Sequence, residues 1–473
     1  MLQNWLILLP EFAIISFFPV AWIINHYREN KTAKTFFTLS KISLLASLLF
    51  TIIFYNKSVW PDLWENSKYT TLFKIAIYII CFVWFYLSSK WFLNKDRSSF
   101  KFYTAGMLCI LLFGILLSSQ NFIIPIIIVP TLCVLTYILI LQHWDEERVQ
   151  KIAKLYITFA LIFCTLLISG CFIIWHEFKT LDYATIKQAL EVQPPSSLIY
   201  NAIIMIMSSL LFMMAAAPFH FWYIGTISAV ILPICGFLTL IPPFAYLSCL
   251  ITLMSEVFSP LQQNLYHLIE YIAIFSIIIG SLSAGGQTNI RRLFAFSSTY
   301  NLGVMLLGIV SFNSSAIVAS FIYTIIYVMA MTGIYTAFLA LKSKGDYLSE
   351  LNEIQGLSET KPYVSAAIVI FMISLIGVPP LLGFWGRLSL FNILILEERW
   401  THVIILLISI IFMANAYLQI IRTIYFEPSK NSFDRTDKSI YICLFINLLL
   451  IFISILNPSY LLHDAQIALS GVN

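Results

Sequence analysis

About fourteen apolar stretches of roughly 20 residues run through this chain almost without interruption. They lie near 4–25, 36–55, 71–93, 102–119, 121–142, 152–175, 198–217, 228–254, 268–286, 292–311, 315–341, 362–383, 402–426 and 439–457. A helix of that length matches the thickness of a bilayer's hydrocarbon core. In lipid every backbone N–H and C=O must be paired internally, so such stretches are predicted as helices. With 60% hydrophobic and 11% charged residues and a mean hydropathy of +0.89, no soluble domain fits. The longest connections, near 56–70, 176–197, 342–361 and 427–438, are too short to fold alone. The reading is one all-α, multi-pass domain over 1–473, embedded in the lipid bilayer.

The N-terminus opens on apolar residues without a basic n-region or a small-residue cleavage pattern, so the first span is expected to be retained. The eight cysteines fall singly within apolar stretches without CxxC spacing. That pattern reads as small buried hydrophobes and argues against iron–sulfur, zinc or disulfide chemistry in this chain. Lysine and arginine placement is asymmetric. Connections after odd-numbered spans carry Arg28, Lys31 and Lys34; Lys90, Lys95, Arg97 and Lys101; Arg148, Lys151 and Lys154; Arg291 and Arg292; Lys342, Lys344 and Lys361; and Arg422, Lys430, Arg435 and Lys438. Connections after even-numbered spans carry only Lys57, Lys68, Lys179, Lys187, Arg387 and Arg399. The positive-inside rule then turns the first group to the cytoplasm and both termini to the opposite side. Trp60, Trp64, Trp84, Trp91, Trp144 and Trp175 read as interfacial anchors.

Two spans carry helix breakers. The seventh ends in Ala215-Ala216-Ala217-Pro218-Phe219-His220-Phe221-Trp222, and the twelfth in Gly377-Val378-Pro379-Pro380-Leu381-Leu382-Gly383-Phe384-Trp385-Gly386-Arg387. Proline removes a helix donor and frees a carbonyl, which survives in a membrane only where protein or a water-lined cavity repairs the loss. The breaks recur five spans apart, and five is odd. Two five-helix units, roughly 102–254 and 268–426, would therefore insert in opposite orientations, as inverted repeats do in transporters.

Between the ninth and tenth spans lies the run Gln287-Thr288-Asn289-Ile290-Arg291-Arg292-Leu293-Phe294-Ala295-Phe296-Ser297-Ser298-Thr299-Tyr300-Asn301-Leu302-Gly303. So many polar groups at a span require partners inside a helix bundle. This run, with Leu9-Pro10-Glu11, Pro218-Phe219-His220-Phe221-Trp222 and the Gly377 to Arg387 segment including Pro379, Gly383 and Gly386, resembles the subunit N family of proton-pumping NADH-quinone oxidoreductase (respiratory complex I). The Pro-Phe-His element is shared with sister subunits L and M and with multisubunit cation/proton antiporters; the Gln-Thr-Asn-Ile run selects N. The resemblance implies a fourteen-helix, antiporter-like fold with helices 7 and 12 broken, and protons moving along buried ionisable groups. It implies other membrane subunits of the oxidoreductase as partners, with FMN, iron–sulfur clusters and quinone held by those partners and none by this chain. A multi-pass location in the cell inner membrane follows.

The ionisable groups depart from that family. Its fifth-span glutamate corresponds to Pro130, its seventh-span lysine to Met213, its eighth-span lysine to a position near Pro243, and its twelfth-span lysine to Arg387. Only the last keeps a charge, and a guanidinium does not release its proton at physiological pH. The histidine after the double serine is Asn301 here. His220 fits two roles, a relay titrating near neutrality or a hydrogen-bonding group at the break. Arg387 fits a fixed charge in a half-channel, a partner for an acid, or a snorkelling side chain. Lys41, Lys74 and Lys154, near span ends, are expected to snorkel, and Glu11 is a candidate for contact with a neighbouring subunit. No residue is assigned as catalytic and none as a metal ligand.

Three functions compete: an oxidoreductase membrane subunit with a degenerate proton path, a non-conducting structural paralogue of subunit N, and a subunit of a stand-alone cation/proton antiporter. No basic patch has the density or aromatic interleaving that nucleic-acid binding needs. The charge partition makes its own prediction. Single cysteines placed in the 91–100 and 427–438 connections should react with an impermeant thiol reagent only from the cytoplasmic side; labelling of either from outside overturns the orientation.

Overall fold

The computed structural model describes residues 6–27, 33–55, 57, 63–92, 96–143, 146–192, 195–310, 314–343, 346–429 and 432–456. Arg28, Lys31, Lys95, Lys344, Lys430, Trp60 and Trp144 lie outside the described residues. The chain is almost entirely helical, and the one sheet among these residues is a hairpin pairing Lys342–Ser343 with Asp346–Tyr347. Among the described residues ten helices are long and apolar enough to cross a membrane, or eleven if the pair Leu351–Thr360 and Pro362–Ile376, bent by 120°, counts as one. The expected fourteen is not reached by that standard. Ser197–Met213, Leu382–Leu396 and Lys438–Phe452 are apolar but shorter.

The interruptions have local causes. Ser197–Met213 stops where Ala215 takes φ 62, before the cis Ala217–Pro218 bond, and helix resumes at Phe221–Ala229. Pro362–Ile376 stops at Gly377 with φ 85, before the cis Pro379–Pro380 bond, and resumes at Leu382–Leu396. Left-handed backbone suits Gly377 because it lacks a Cβ. Both expected breaks are therefore present.

Two compact units result. The first comprises Met1–Ala215 and Ala229–Leu265, the second Ala216–Ser228 and Tyr266–Ser470, so the break at Ala215 hands the end of the seventh span to the second unit. Within the first unit Ser197–Met213 lies along the 32-residue helix Glu147–Phe178. Gly170 permits the approach, since a Cβ there would stand 2.7 Å from the Ala202 carbonyl oxygen. Leu232–Val257 is the enclosed element of this unit, kinked at Pro242 and finishing in a π-helical turn, Leu253–Val257.

Tryptophan placement corrects the anchoring expectation. Trp175 is exposed, but Trp64, Trp84 and Trp91 are buried, and the Trp84 indole N–H donates to the Pro233 carbonyl at 2.8 Å. A buried indole needs one acceptor, and a carbonyl near a proline supplies it.

Within the second unit the helix Ser314–Leu339 is enclosed by Ile290–Ile309, Pro362–Ile376, Leu382–Leu396 and Lys438–Leu456. Three of its hydroxyls turn back on the helix itself, Thr324, Thr332 and Thr336 each donating to the carbonyl four residues back, while Ser320 donates to Met305 O of the neighbouring helix at 2.7 Å. Helices Gln262–Ala284 and Ile290–Ile309 meet backbone to backbone at two glycines. A Cβ on Gly303 would stand 2.8 Å from Ala273 O and Ile277 N, and one on Gly280 would stand 2.6 Å from Tyr300 N. Replacing Gly303 by valine adds helix propensity of less than about 1 kcal/mol and overpacking of about 1–3 kcal/mol, so destabilisation wins. Gly303→Val should lower the unfolding temperature of the detergent-purified protein. Gly285→Ala, whose Cβ meets only Leu282 O at 3.8 Å, should not.

Candidate functional site

The Gln287 to Gly303 run builds the polar centre of the second unit. Asn289 caps the helix, accepting from Arg292 N at 3.0 Å, while its amide donates to Glu350 Oε1 at 3.0 Å. Gln287 donates to Ser283 O at 2.8 Å, Arg291 is half-buried and Arg292 exposed. One turn deeper, Ser297, Ser298, Thr299 and Asn301 are buried. Asn301 is the hub. Its Nδ2 donates to Ser297 O at 2.7 Å and its Oδ1 accepts from Tyr323 OH at 2.6 Å. Ser297 shares a short hydrogen bond with Tyr417 OH, and Tyr223 OH donates to Ser298 at 3.2 Å.

Arg387 sits against this network, only 6% exposed. Its placement follows from the break. In an unbroken helix the Leu375 carbonyl would accept from residue 379, which is proline and has no N–H. Arg387 Nη2 donates to that carbonyl instead. The guanidinium lies 5.7 Å from the Tyr300 ring centroid, within cation–π range, and Nη1 has no protein partner among the described residues. A Cβ on Gly377 would stand 2.9 Å from Arg387 Cδ, and one on Gly383 would collide with the Ser374 carbonyl. Gly386 faces Ile326 and Tyr323 in the same way. Snorkelling and pairing with an acid are thus set aside for Arg387: it is buried, no ion pair to it appears among the described residues, and its charge faces a carbonyl and an aromatic ring.

The other break is repaired alike, with Ala217 N donating to Ser276 Oγ at 2.9 Å. Pro218 is exposed and His220 half-buried; the imidazole Nδ1 has no side-chain partner among the described residues, and its ring stands 6.4 Å from Phe296. No hydrogen bond between His220 and the Asn301 network appears among the described residues.

In the first unit the positions singled out in the sequence carry no charge. Pro130 lies within Ile123–Ile140, and Pro243 in the first turn of Pro242–Thr252. Met213 is buried, its Sδ 3.4 Å from Cys133 Sγ, which is 3.5 Å from Cys164 Sγ. Among the described residues no group of three or more His, Cys, Asp or Glu is arranged to hold a metal ion.

Sequence reasoning missed three charged clusters. Lys74 does not snorkel: it is 1% exposed and donates to Glu11 Oε1 at 2.8 Å and Asn66 Oδ1 at 2.9 Å, which also gives Glu11 a partner within the chain. Gln120 Nε2 joins Glu65 Oε2 and Glu256 Oε2, at 3.2 and 3.0 Å. In the second unit Glu270 gathers His267 at 3.0 Å, His402 at 2.5 Å and Arg399 at 3.7 Å. A signal for the first existed in the sequence, because Glu11 and Lys74 are opposite charges inside apolar stretches, and such groups require partners.

A family profile described as NADH:quinone oxidoreductase/Mrp antiporter, TM, matches residues 119–413. Among curated relatives, the NADH-quinone oxidoreductase subunit N of Thioalkalivibrio sulfidiphilus is 24% identical over 481 aligned positions, covering 99% of each chain. That of Pelagibacter ubique is 28% identical over 355, covering 74% of each. Among solved structures, a chain of Thermus thermophilus respiratory complex I with bound Aureothin superposes with a TM-score of 0.80 at 18% identity, covering 96% of this chain and 98% of that one. A chain of the Mrp complex from Dietzia sp. gives 0.87 at 14%, covering 100% and 98%. These likenesses show the fold.

The Asn301 hub yields a measurable expectation. Tyr323→Phe removes the hydroxyl that Asn301 Oδ1 accepts, leaving a buried oxygen unpaired at a cost of about 1–3 kcal/mol. Thermal unfolding should shift down accordingly, while Tyr425→Phe at an exposed position stays within about 0.5 kcal/mol of the parent.

Proposed function

Because the chain belongs to the NADH:quinone oxidoreductase/Mrp antiporter transmembrane family, we propose that it is a membrane subunit, of the subunit N kind, in a proton-translocating NADH-quinone oxidoreductase whose own proton path has degenerated. The matched relatives carry the subunit N name along their length. The partners are the other membrane subunits, and electron transfer through FMN and iron–sulfur clusters to quinone takes place outside this chain. Both termini lie on the non-cytoplasmic side of the inner membrane, and the inverted repeats run roughly from 102 to 254 and from 268 to 426.

A single observation carries the degeneracy. A relay needs groups that gain and lose protons, near enough for water to bridge. Pro130, Met213 and Pro243 hold none, and Arg387 is a permanent charge bound to a carbonyl. Its role is electrostatic and structural: it repairs the Pro379 break and holds the surrounding tyrosines. His220, half-buried beside the other break, is the titratable candidate left at the end of the seventh span. The antiporter reading is weaker, since such a subunit would keep the membrane lysines and glutamate that conduct. A non-conducting paralogue would share these partners.

Affinity purification of the tagged chain in mild detergent should bring down other oxidoreductase subunits; a stable solitary monomer overturns the assignment. In the reconstituted complex, His220→Ala should leave the proton-to-electron ratio unchanged. A full family stoichiometry that collapses on this one change would demonstrate a working path and refute the degeneracy.

A further inference from the structure

The first unit buries two charges that the proposed function does not use. Glu11 lies in Leu9–Ile15 and Lys74 in Lys68–Phe92; Glu11 is 5% exposed and Lys74 1%. Around the 2.8 Å Nζ to Oε1 contact stand Asn66, which accepts from Lys74 and from Ser118 Oγ at 2.7 Å, and the Trp64 ring, 4.7 Å from Nζ. Among the described residues two lysines are buried, Lys74 and Lys361, and their surroundings differ. Lys361 donates to Ala340 O, Asp434 O and Thr436 Oγ1, which is three acceptors for three N–H groups. It is a saturated staple between loops. The Lys74 and Glu11 couple is unsaturated: Glu11 Oε2, Tyr78 OH and Trp64 Nε1 are all buried without a protein partner among the described residues. Tyr78 OH and Glu11 Oε1 both lie within reach of the open flank of Gly114, 3.1 and 3.9 Å from where its Cβ would stand.

The site also has a built mouth. Residues 63–66 pair with 118–120 in an antiparallel bridge, through Glu65 N to Ser118 O at 3.0 Å and Gln120 N to Leu63 O at 3.1 Å. Side chains along an extended strand alternate between its faces. Trp64 and Asn66 accordingly turn to Lys74, while Glu65 between them turns to Gln120. Gln120 also bonds Glu256, which the π-helical turn Leu253–Val257 presents. Both carboxylates are half-buried. A solvent-reaching carboxylate pair thus stands one strand residue away from a buried acid–base couple.

From this geometry we propose that Glu11 and Lys74 form a proton-binding site, with Glu11 Oε2 as the acceptor and the Glu65, Gln120 and Glu256 cluster as its collector. The proton arrives on the free oxygen while Oε1 keeps the hydrogen bond from Lys74, so the carboxylate becomes a neutral acid and the ammonium remains. The charge of the pair rises from zero to one. The groups facing Glu11 are Lys74 and Tyr78 from the third span, Asn66 from the bridge, and Gly114 and Ser118 from the fourth span. The second span contributes Ser43, whose hydroxyl is engaged by the Ala13 carbonyl at 2.6 Å. This site uses none of the positions Pro130, Met213 and Pro243, and its role in the complex rests on the subunit reading above.

The test uses the tagged chain with whatever it brings down, so its first readout does not depend on that reading. Infrared difference spectra between alkaline and acidic buffer should contain a protonated-carboxyl stretch that Glu11→Gln abolishes; a spectrum unchanged by Glu11→Gln overturns the proposal. Removing one charge strands the other, so Glu11→Gln or Lys74→Met alone is expected to lower recovery of folded protein. The double variant Glu11→Gln with Lys74→Met, which removes both charges, should restore it. If the restored double variant still shows the carboxyl stretch at parent amplitude, the band belongs elsewhere and the pair is only structural. Failure to copurify oxidoreductase subunits bears on the subunit reading alone.

Discussion

A polar group carried into the hydrocarbon is costly unless another part of the protein pairs with it, because lipid offers no replacement for a missing partner. Most of the architecture answers to that constraint. Threonine hydroxyls along Ser314–Leu339 turn back on their own helix, and Ser320 reaches the Met305 carbonyl of the next. Both proline breaks are repaired by side chains from elsewhere in the second unit, Ser276 bonding Ala217 N and Arg387 bonding the carbonyl that Pro379 cannot serve. Glycines let helices approach closely where the network has to be reached, as at Gly303 against Ala273 and Gly386 against Tyr323.

Charge follows the same logic with different outcomes. Arg387 keeps its proton and disperses its charge over a carbonyl, an aromatic face and a tyrosine-rich shell. Lys361 saturates its three donors and ties loops together. Lys74 meets a carboxylate, and removing one partner of such a buried pair costs about 3–5 kcal/mol because the other is left uncompensated. In the first unit Pro130 and Pro243 sit within apolar helices and Met213 contacts a cysteine sulfur. These groups pack without desolvation cost, and they cannot carry protons.

Much of this was legible in the chain. Apolar length and backbone saturation together demand membrane helices, and the proline and glycine signals marked both breaks at the right residues. The clustering of Asn289, Ser297, Ser298 and Asn301 beside a helix start called for partners, and the fold supplies them. What sequence periodicity did not supply was helix length at the breaks. Ser197–Met213 and Leu382–Leu396 are cut short by backbone turns at Ala215 and Gly377, so a count from apolar runs exceeds the count of long helices. Nor did tryptophan's usual preference for interfaces hold for Trp84, whose indole finds a carbonyl in the interior.

By itself the sequence determined the class of solvent, the helical content, the positions of the breaks and the loss of titratable groups at Pro130, Met213 and Pro243. Each of these depends on residue type and on distances along the chain. Tertiary structure alone decided which residues meet. Glu11 and Lys74 are 63 positions apart, Ser297 and Tyr417 are 120 apart, and the end of the seventh span joins the second unit. Pairing over such separations is set by helix packing, which no local pattern encodes. The same lysine chemistry yields a saturated staple at Lys361 or an unsaturated acid–base couple at Lys74, according to what the neighbouring elements place around it.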